Sequence, residues 1–111
     1  MPVWLKGVLL STAIGTVLGT APSAGAADAQ ARETRDGLLY LLRQDCGSCH
    51  GMTMKGGLGP ALLPDTLKDK PDETLVGIIL DGVPETPMPP WRPLLAPEDA
   101  AWIVKQLKKG L

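Results

Sequence analysis

The sequence feature that most constrains this chain is the segment Cys46-Gly47-Ser48-Cys49-His50, which holds both cysteines and the only histidine. On one turn of helix, two thiols three positions apart lie on the same side, and the histidine follows directly at the end of that turn. Gly47 and Ser48 are small, so the backbone can lie close to a large flat group held by both sulfurs. The spacing predicts a fold organised around this segment.

The Cys-x-x-Cys-His spacing is the attachment signature of c-type haem. Each thiol can add to one porphyrin vinyl group, so we expect one covalent haem c held by Cys46 and Cys49, with His50 as an axial ligand. A thioredoxin-like dithiol needs a βαβ context, and the strand signal is weak throughout. A structural zinc site needs four ligands, of which the motif supplies three. A short-loop disulfide remains open as an alternative.

A second axial ligand from this chain is expected to be a methionine, because His50 is the only histidine. His/Met ligation raises the reduction potential of a haem. Met52 and Met54 follow His50 too closely, since the path around the porphyrin rim is on the order of 20 Å and four residues reach at most about 14 Å. They are expected to pack or lie at the surface. Met88, flanked by prolines that stiffen its loop, is the predicted ligand.

Three more residues are expected around the haem. An axial histidine needs an acceptor for its other ring N–H, and the carbonyl of Pro60 is the candidate. Taken alone, the segment around Pro60 would be an ordinary Gly-Pro turn. Leu62 is expected to close over the haem face. Trp91 is expected either to contact the haem or a propionate through its indole N–H, or to be a half-buried surface side chain.

The first 26 residues have the three parts of a secretory signal. Lys6 supplies the positive charge, an apolar run covers 8–18, and small residues precede a cleavage site after about Ala26. The run is shorter than the roughly 20 residues that span a bilayer, and no stop-transfer charges follow it. We therefore expect export to the periplasm, no stable membrane anchor, and a single mature domain over 27–111.

Charge and composition narrow the function classes. The formal net charge is −1, becomes −2 when Lys6 is removed, and would be lowered further by haem propionates. Nucleic acid is therefore not an expected partner, since its binding depends on clustered Lys and Arg. The chain has no Phe and one Tyr, and a mature domain of this size builds only a small core. A covalent cofactor that forms half of the core fits this composition.

Hydrophobic periodicity predicts an all-α chain. A first helix is expected over 31–45 and ends at the motif; a Gly- and Pro-rich loop follows over 51–70. A second helix is expected over 71–80, with Pro71 in its first turn. The last helix covers 97–109 and is expected to cross the first one. These residues are expected to form the inward faces: Leu38, Leu39, Leu42, Leu75, Ile78, Ile79, Ile103 and Leu107.

The proline-rich segment over 83–95 is interpreted as the loop that carries Met88. It could also be a polyproline recognition segment. Its place in the order of elements, opposite the haem motif, favours the ligand-bearing loop.

With these parts in place, the mature chain resembles class I cytochrome c. The resemblance covers essentially 31–111 and implies three to four helices packed around one covalently bound haem, with terminal helices crossing at right angles. The text of 46–62 and 86–95 is similar to that of the cytochrome c-55X family, the small periplasmic cytochromes encoded with the haem-c/haem-d nitrite reductase of denitrifying bacteria. One departure from many class I relatives is that Tyr40 is the only phenol.

The resemblance implies a periplasmic monohaem electron carrier, not an enzyme, that donates electrons to nitrite reductase in denitrification. The alternative it implies is a haem-containing accessory factor for haem d maturation or nitrite reductase assembly. The cytochrome c maturation machinery is the further expected partner. If Met88 did not bind, a five-coordinate haem with peroxidase-like or gas-binding behaviour would remain possible. Four basic residues are expected either to ring the haem edge or to be dispersed charges: Lys55, Lys68, Lys70 and Arg92.

Overall fold

The computed structural model describes residues 15, 19–21 and 24–111 and, within its first helix, side chains from residue 34 onward. This part of the chain contains helices and loops and no strand. The helical elements are α1 (Ala24–Leu41), a π-helical segment (Leu42–Cys46), α2 (Gly47–His50), α3 (Pro64–Leu67), α4 (Asp72–Asp81) and α5 (Pro97–Lys109). Since α1, the π-helical segment and α2 are continuous, the described chain has four helical runs, and the predicted all-α class is confirmed.

The first helical run passes through the motif instead of ending before it. The predicted helix over 31–45 is part of this run, which starts earlier and continues to His50. Within it, the backbone N–H of Gly47 bonds to the carbonyl of Leu42, five residues earlier, which is the π-helical pattern. Most of the expected export signal lies outside the described residues, so its boundary at Ala26 stays a prediction.

The sequence predicted a loop over 51–70, but this segment is not loop throughout. One helical turn, α3, lies within 51–70. Leu63 is extended before it, and Pro64 occupies its first position, where a missing N–H costs nothing. Leu67 in this turn is buried in the core, with 3 % of its surface exposed.

The bounds of α5 agree with the sequence, and those of α4 differ by one residue. Pro71 is the extended residue that precedes α4, so it lies outside the first turn in which it was expected. The start of α5 is closed by Asp99, whose carboxylate accepts a hydrogen bond from the Ala96 N–H at 3.0 Å. Lys108 and Lys109 lie in its last turn, where positive charge favours the helix dipole.

The core forms where α5 packs against α4, α3 and α1. Its buried members are Leu42, Met54, Leu67, Leu75, Leu80, Leu95, Ala100, Ile103, Val104 and Leu107. Leu38, Leu39 and Ile79 are half-buried and pack against this core, which agrees with their predicted inward orientation. Ile78 was predicted to be buried, and this prediction is wrong, since 38 % of its surface is exposed. The buried residues of α4 are Leu75 and Leu80.

A lysine links the start of α4 to the end of α5. Nζ of Lys108 lies 2.6 Å from the carbonyl oxygen of Lys70 and 2.6 Å from Oδ1 of Asp72. Both acceptors lie around the first turn of α4, so this one side chain fixes the two helices at that end. Among the helices that the structure describes, none combines the length and apolar character needed to cross a membrane.

Candidate functional site

The two cysteines and the histidine lie on the end of the first helical run. Cys46 is the last residue of the π-helical segment, and Cys49 and His50 lie in α2. Both thiols are free and half-buried. Gly47 is buried between them, and a Cβ there would lie 3.2 Å from Sδ of Met52. The helix therefore holds both sulfurs in one turn, with a small residue where the backbone is packed most closely.

The thiol of Cys46 is packed into the protein. Burial, with a smaller contribution from the charge of Asp45, raises its pKa from 9.0 to about 11. Since thiolates form less readily as the pKa rises, this side chain stays a neutral thiol at ordinary pH. The environment is that of a sulfur packed into the protein rather than that of an activated redox cysteine.

The imidazole of His50 is held by a backbone carbonyl. Nδ1 of His50 lies 2.7 Å from the carbonyl oxygen of Pro60, which is the contact expected from the sequence. Because a carbonyl only accepts, Nδ1 carries the donated hydrogen and the neutral ring has its lone pair on Nε2. This is the nitrogen a metal would bind, and the arrangement is the one usual for metal-ligating histidines.

Gly59 packs against the flat imidazole and sets where the ring can lie. A Cβ at position 59 would lie 2.7 Å from Cε1 and 2.8 Å from Nδ1 of His50, closer than real contacts allow. Its backbone N–H donates to the carbonyl of Cys49 at 2.8 Å, and the N–H of Gly56 donates to the carbonyl of His50 at 2.8 Å. The loop thus satisfies the last carbonyls of α2 while it holds the ring.

Met88 lies half-buried in a loop whose base is closed by several bonds. The backbone N–H of Trp91 donates to the carbonyl of Ile79 at 3.1 Å. The guanidinium of Arg92 donates to Oδ1 of Asp81 from both Nε and Nη2, at 3.0 and 2.7 Å. These contacts return the chain to the end of α4 after the loop, so the loop has a fixed start and a fixed end.

The other sequence-predicted residues are placed as follows. Leu62 and Trp91 are half-buried and pack against the core. The described part of the chain supplies no hydrogen-bond partner for the indole nitrogen of Trp91. Met54 is 3 % exposed and Met52 is 60 % exposed, so one packs and the other lies at the surface. These placements match the expectation that each of the two methionines packs or lies at the surface.

The residues present fit a haem better than the alternatives. Two free thiols on one helical turn and an imidazole anchored through Nδ1 are donors of the kind a c-type haem uses, and Met88 in its closed loop offers a thioether. Among the described residues, no group of three or more His, Cys, Asp and Glu side chains could hold a metal ion, which gives the zinc interpretation no support. The thioredoxin-like interpretation has no βαβ unit within 24–111.

The contact between Gly59 and the His50 ring was not predicted from the sequence. A Gly-Pro turn ten residues after a histidine is too common to reveal that its glycine touches the ring. The pairing of Arg92, one of the four expected basic residues, with Asp81 was not predicted either, and both side chains of this ion pair remain exposed. Lys68 is likewise paired, with Asp65 at 3.6 Å. Opposite charges at 65 and 68 were the available signal for this second pair.

Comparison with known proteins gives a consistent family. Residues 33–106 match the family described as cytochrome c oxidase, cbb3-type, subunit III. The chain is 52 % identical over 90 residues to cytochrome c55X of Pseudomonas aeruginosa, covering 80 % of this chain and 76 % of that protein. It is 49 % identical over 102 residues to cytochrome c55X of Paracoccus denitrificans, covering 92 % and 91 %.

A solved structure agrees with this family assignment. The c-type cytochrome NirC superposes with a TM-score of 0.68 at 53 % identity, covering 69 % of this chain and 91 % of that chain. The predicted class I cytochrome fold is consistent with this neighbour. Taken with the motif helix and the anchored imidazole, these similarities mean that the chain belongs to the cytochrome c55X family of c-type cytochromes.

Proposed function

We propose that this chain is a monohaem electron carrier in which Cys46 and Cys49 form thioethers to one haem, and His50 and Met88 are the axial ligands. The observation that carries the proposal is the orientation of His50: Nδ1 is held by the carbonyl of Pro60, which leaves the Nε2 lone pair free to bind a metal. The bound haem would supply a reversible one-electron couple at its iron.

The chain's own residues favour electron transfer over catalysis. With His50 and Met88 both bound, neither axial position remains for a substrate, and a Met/His pair raises the potential. The carbonyl of Pro60 keeps the imidazole in one tautomer and orientation, which limits reorganisation between the two oxidation states. Trp91 has an indole N–H available for a propionate.

The partner and the compartment follow from the family resemblance. We propose that the chain is exported to the periplasm through its first 26 residues, matured there by the cytochrome c maturation machinery, and used to donate electrons to the haem-c/haem-d nitrite reductase. A transient redox contact of this kind is small and wet, which allows fast release. Of the four basic residues expected near the haem edge, Arg92 and Lys68 form exposed ion pairs, so Lys55 and Lys70 are the candidates we propose for steering it.

The Met88→Ala variant tests the ligand set. Sulfur ligation gives the ferric protein a weak far-red absorption band, so we expect the band in the wild type and its loss in the variant, with new binding of carbon monoxide to the ferrous variant. Met52→Ala, at an exposed methionine, is the matched control and should keep the band. A wild-type protein without the band, or one that binds carbon monoxide readily, would contradict Met88 ligation.

A stopped-flow experiment tests the partner. The reduced protein is mixed with oxidised nitrite reductase, and oxidation of the carrier is followed in its haem bands. The proposal expects oxidation that is second order in the two proteins and falls as ionic strength rises, because the contact is steered by charge. No oxidation beyond the rate seen with an unrelated haem protein would overturn the partner assignment.

A second candidate function is supported by one further relative. The chain is 38 % identical over 80 residues to dihydro-heme d1 dehydrogenase of Pseudomonas aeruginosa, covering 72 % of this chain but 14 % of that protein. A dehydrogenation releases two electrons and two protons, so a one-electron carrier would have to act twice for each turnover. In this role the chain would assist haem d maturation. Deleting its gene would then yield nitrite reductase without haem d, whereas the donor role leaves haem d in place.

A further inference from the structure

We infer that Thr86 is the positioning residue that fixes Met88 in the ligand-bearing loop. The inference rests on the proposed ligation by Met88 and concerns how the loop presents its thioether. Thr86 lies two residues before Met88, separated from it by Pro87, which fixes φ at the position between them.

The hydroxyl of Thr86 makes two bonds at once. It donates to the carbonyl of Val83 at 2.7 Å and accepts the backbone N–H of Met88 at 3.3 Å. The backbone N–H of Thr86 also donates to the carbonyl of Val83, at 3.2 Å. The side chain therefore joins the start of the loop to the amide of the ligand residue, a connection that Pro87 cannot provide because it has no N–H.

The carbonyl of Met88 is fixed from the other side. It accepts the N–H of Val83 at 3.2 Å, and it lies 2.7 Å from where a Cβ of Gly82 would be. Gly82 has φ +67°, a conformation that glycine adopts without strain. Both backbone groups of Met88 are thus held, one by the main chain and one by the Thr86 hydroxyl, which is the part a single substitution can remove.

The backbone matters more for orienting the Met88 sulfur here, because the phenol of the chain's tyrosine is not placed to hydrogen-bond it. Tyr40, the only tyrosine, is 69 % exposed on α1. The bond from a thioether to iron is weak, so it depends on the loop keeping the sulfur in place. Loosening the amide of Met88 should let an added ligand displace the sulfur more easily.

Binding of imidazole to the ferric haem protein measures this competition, since imidazole must displace Met88. Thr86→Val keeps the shape and removes the hydroxyl; we expect imidazole affinity to rise roughly 2- to 12-fold, the range for one net hydrogen bond. Thr86→Ser restores the hydroxyl and should return the affinity to the wild-type value. Thr74→Val, at an exposed threonine of α4, is the matched control and should leave it unchanged.

The possible results separate a failure of the proposed Met88 ligation from a failure of the proposed role of Thr86. If the ferric wild type lacks the far-red sulfur band, Met88 does not bind and the inference falls with the proposed ligation. If the band is present but Thr86→Val binds imidazole as the wild type does, or Thr86→Ser behaves like Thr86→Val, ligation stands and the role of Thr86 is wrong. Higher affinity in Thr86→Val alone, with normal affinity in the serine variant, supports it.

Discussion

Replacing Gly59 with alanine should displace the imidazole of His50. The new Cβ would lie 2.7 Å from Cε1 of His50, whereas carbon atoms pack at about 3.5–4.0 Å, so the ring or the loop must move by about 1 Å. A shift of that size in the ring stretches its 2.7 Å bond to the Pro60 carbonyl toward the distance at which a hydrogen bond is lost.

The expected loss of stability follows from these two effects. Forcing one extra methyl into a packed site costs about 1–3 kcal/mol. Losing the hydrogen bond costs about 0.5–1.5 kcal/mol more, so the sum is about 1.5–4.5 kcal/mol. In a domain of this size each kcal/mol lowers Tm by about 4–8 °C, which gives a fall of roughly 6–36 °C. The reduction potential should change as well, because Gly59 touches His50, the proposed iron ligand.

Guanidinium unfolding of the haem-loaded protein, followed in the haem bands, measures this change. Gly37→Ala is the matched control: Gly37 is exposed in α1 and a Cβ there meets no atom within 4 Å. That variant should be more stable than the wild type by about 0.5–1 kcal/mol, since alanine is the better helix former. A Gly59→Ala protein as stable as the wild type, with an unchanged potential, would refute the packing argument.

Two more substitutions test the contacts that fix α4 to α5 and the contacts that fix the loop carrying Met88. Lys108→Ala should lower the free energy of unfolding by about 1–2 kcal/mol in a denaturant titration, because the lysine is 24 % exposed and bonds Asp72. Lys68→Ala is the control: its ion pair is far more exposed, so the same titration should show a change of less than about 0.5 kcal/mol. Gly82→Ala should weaken the far-red band, because its Cβ would meet the Met88 carbonyl at 2.7 Å; an unchanged band would contradict the close approach.

The parts of the fold that are set by local signals could be predicted from the sequence. The bounds of α5 follow from Pro97 at its start and from the lysines in its last turn, and both signals act within a few residues. The contact between His50 and Pro60 was expected because an axial histidine needs an acceptor for its second nitrogen. The chemistry of one residue was enough to identify its partner.

Other features depend on packing and could not be predicted. The π-helical segment needs one residue more per turn than an α-helix, and nothing in the letters of 42–46 marks it. The burial of Leu80 and the exposure of Ile78 depend on the direction from which α5 approaches α4. The contact of Gly59 with the imidazole depends on the path of a loop, and in sequence the residue belongs to an ordinary turn.

Covalent attachment through both cysteines is the central claim, and the intact mass of the matured protein tests it most directly. Expressed with the cytochrome c maturation machinery, the chain should gain the mass of one haem and keep its colour through acid-acetone extraction. The double variant Cys46→Ala, Cys49→Ala should lose both. A wild-type mass equal to that of the polypeptide alone would contradict the account.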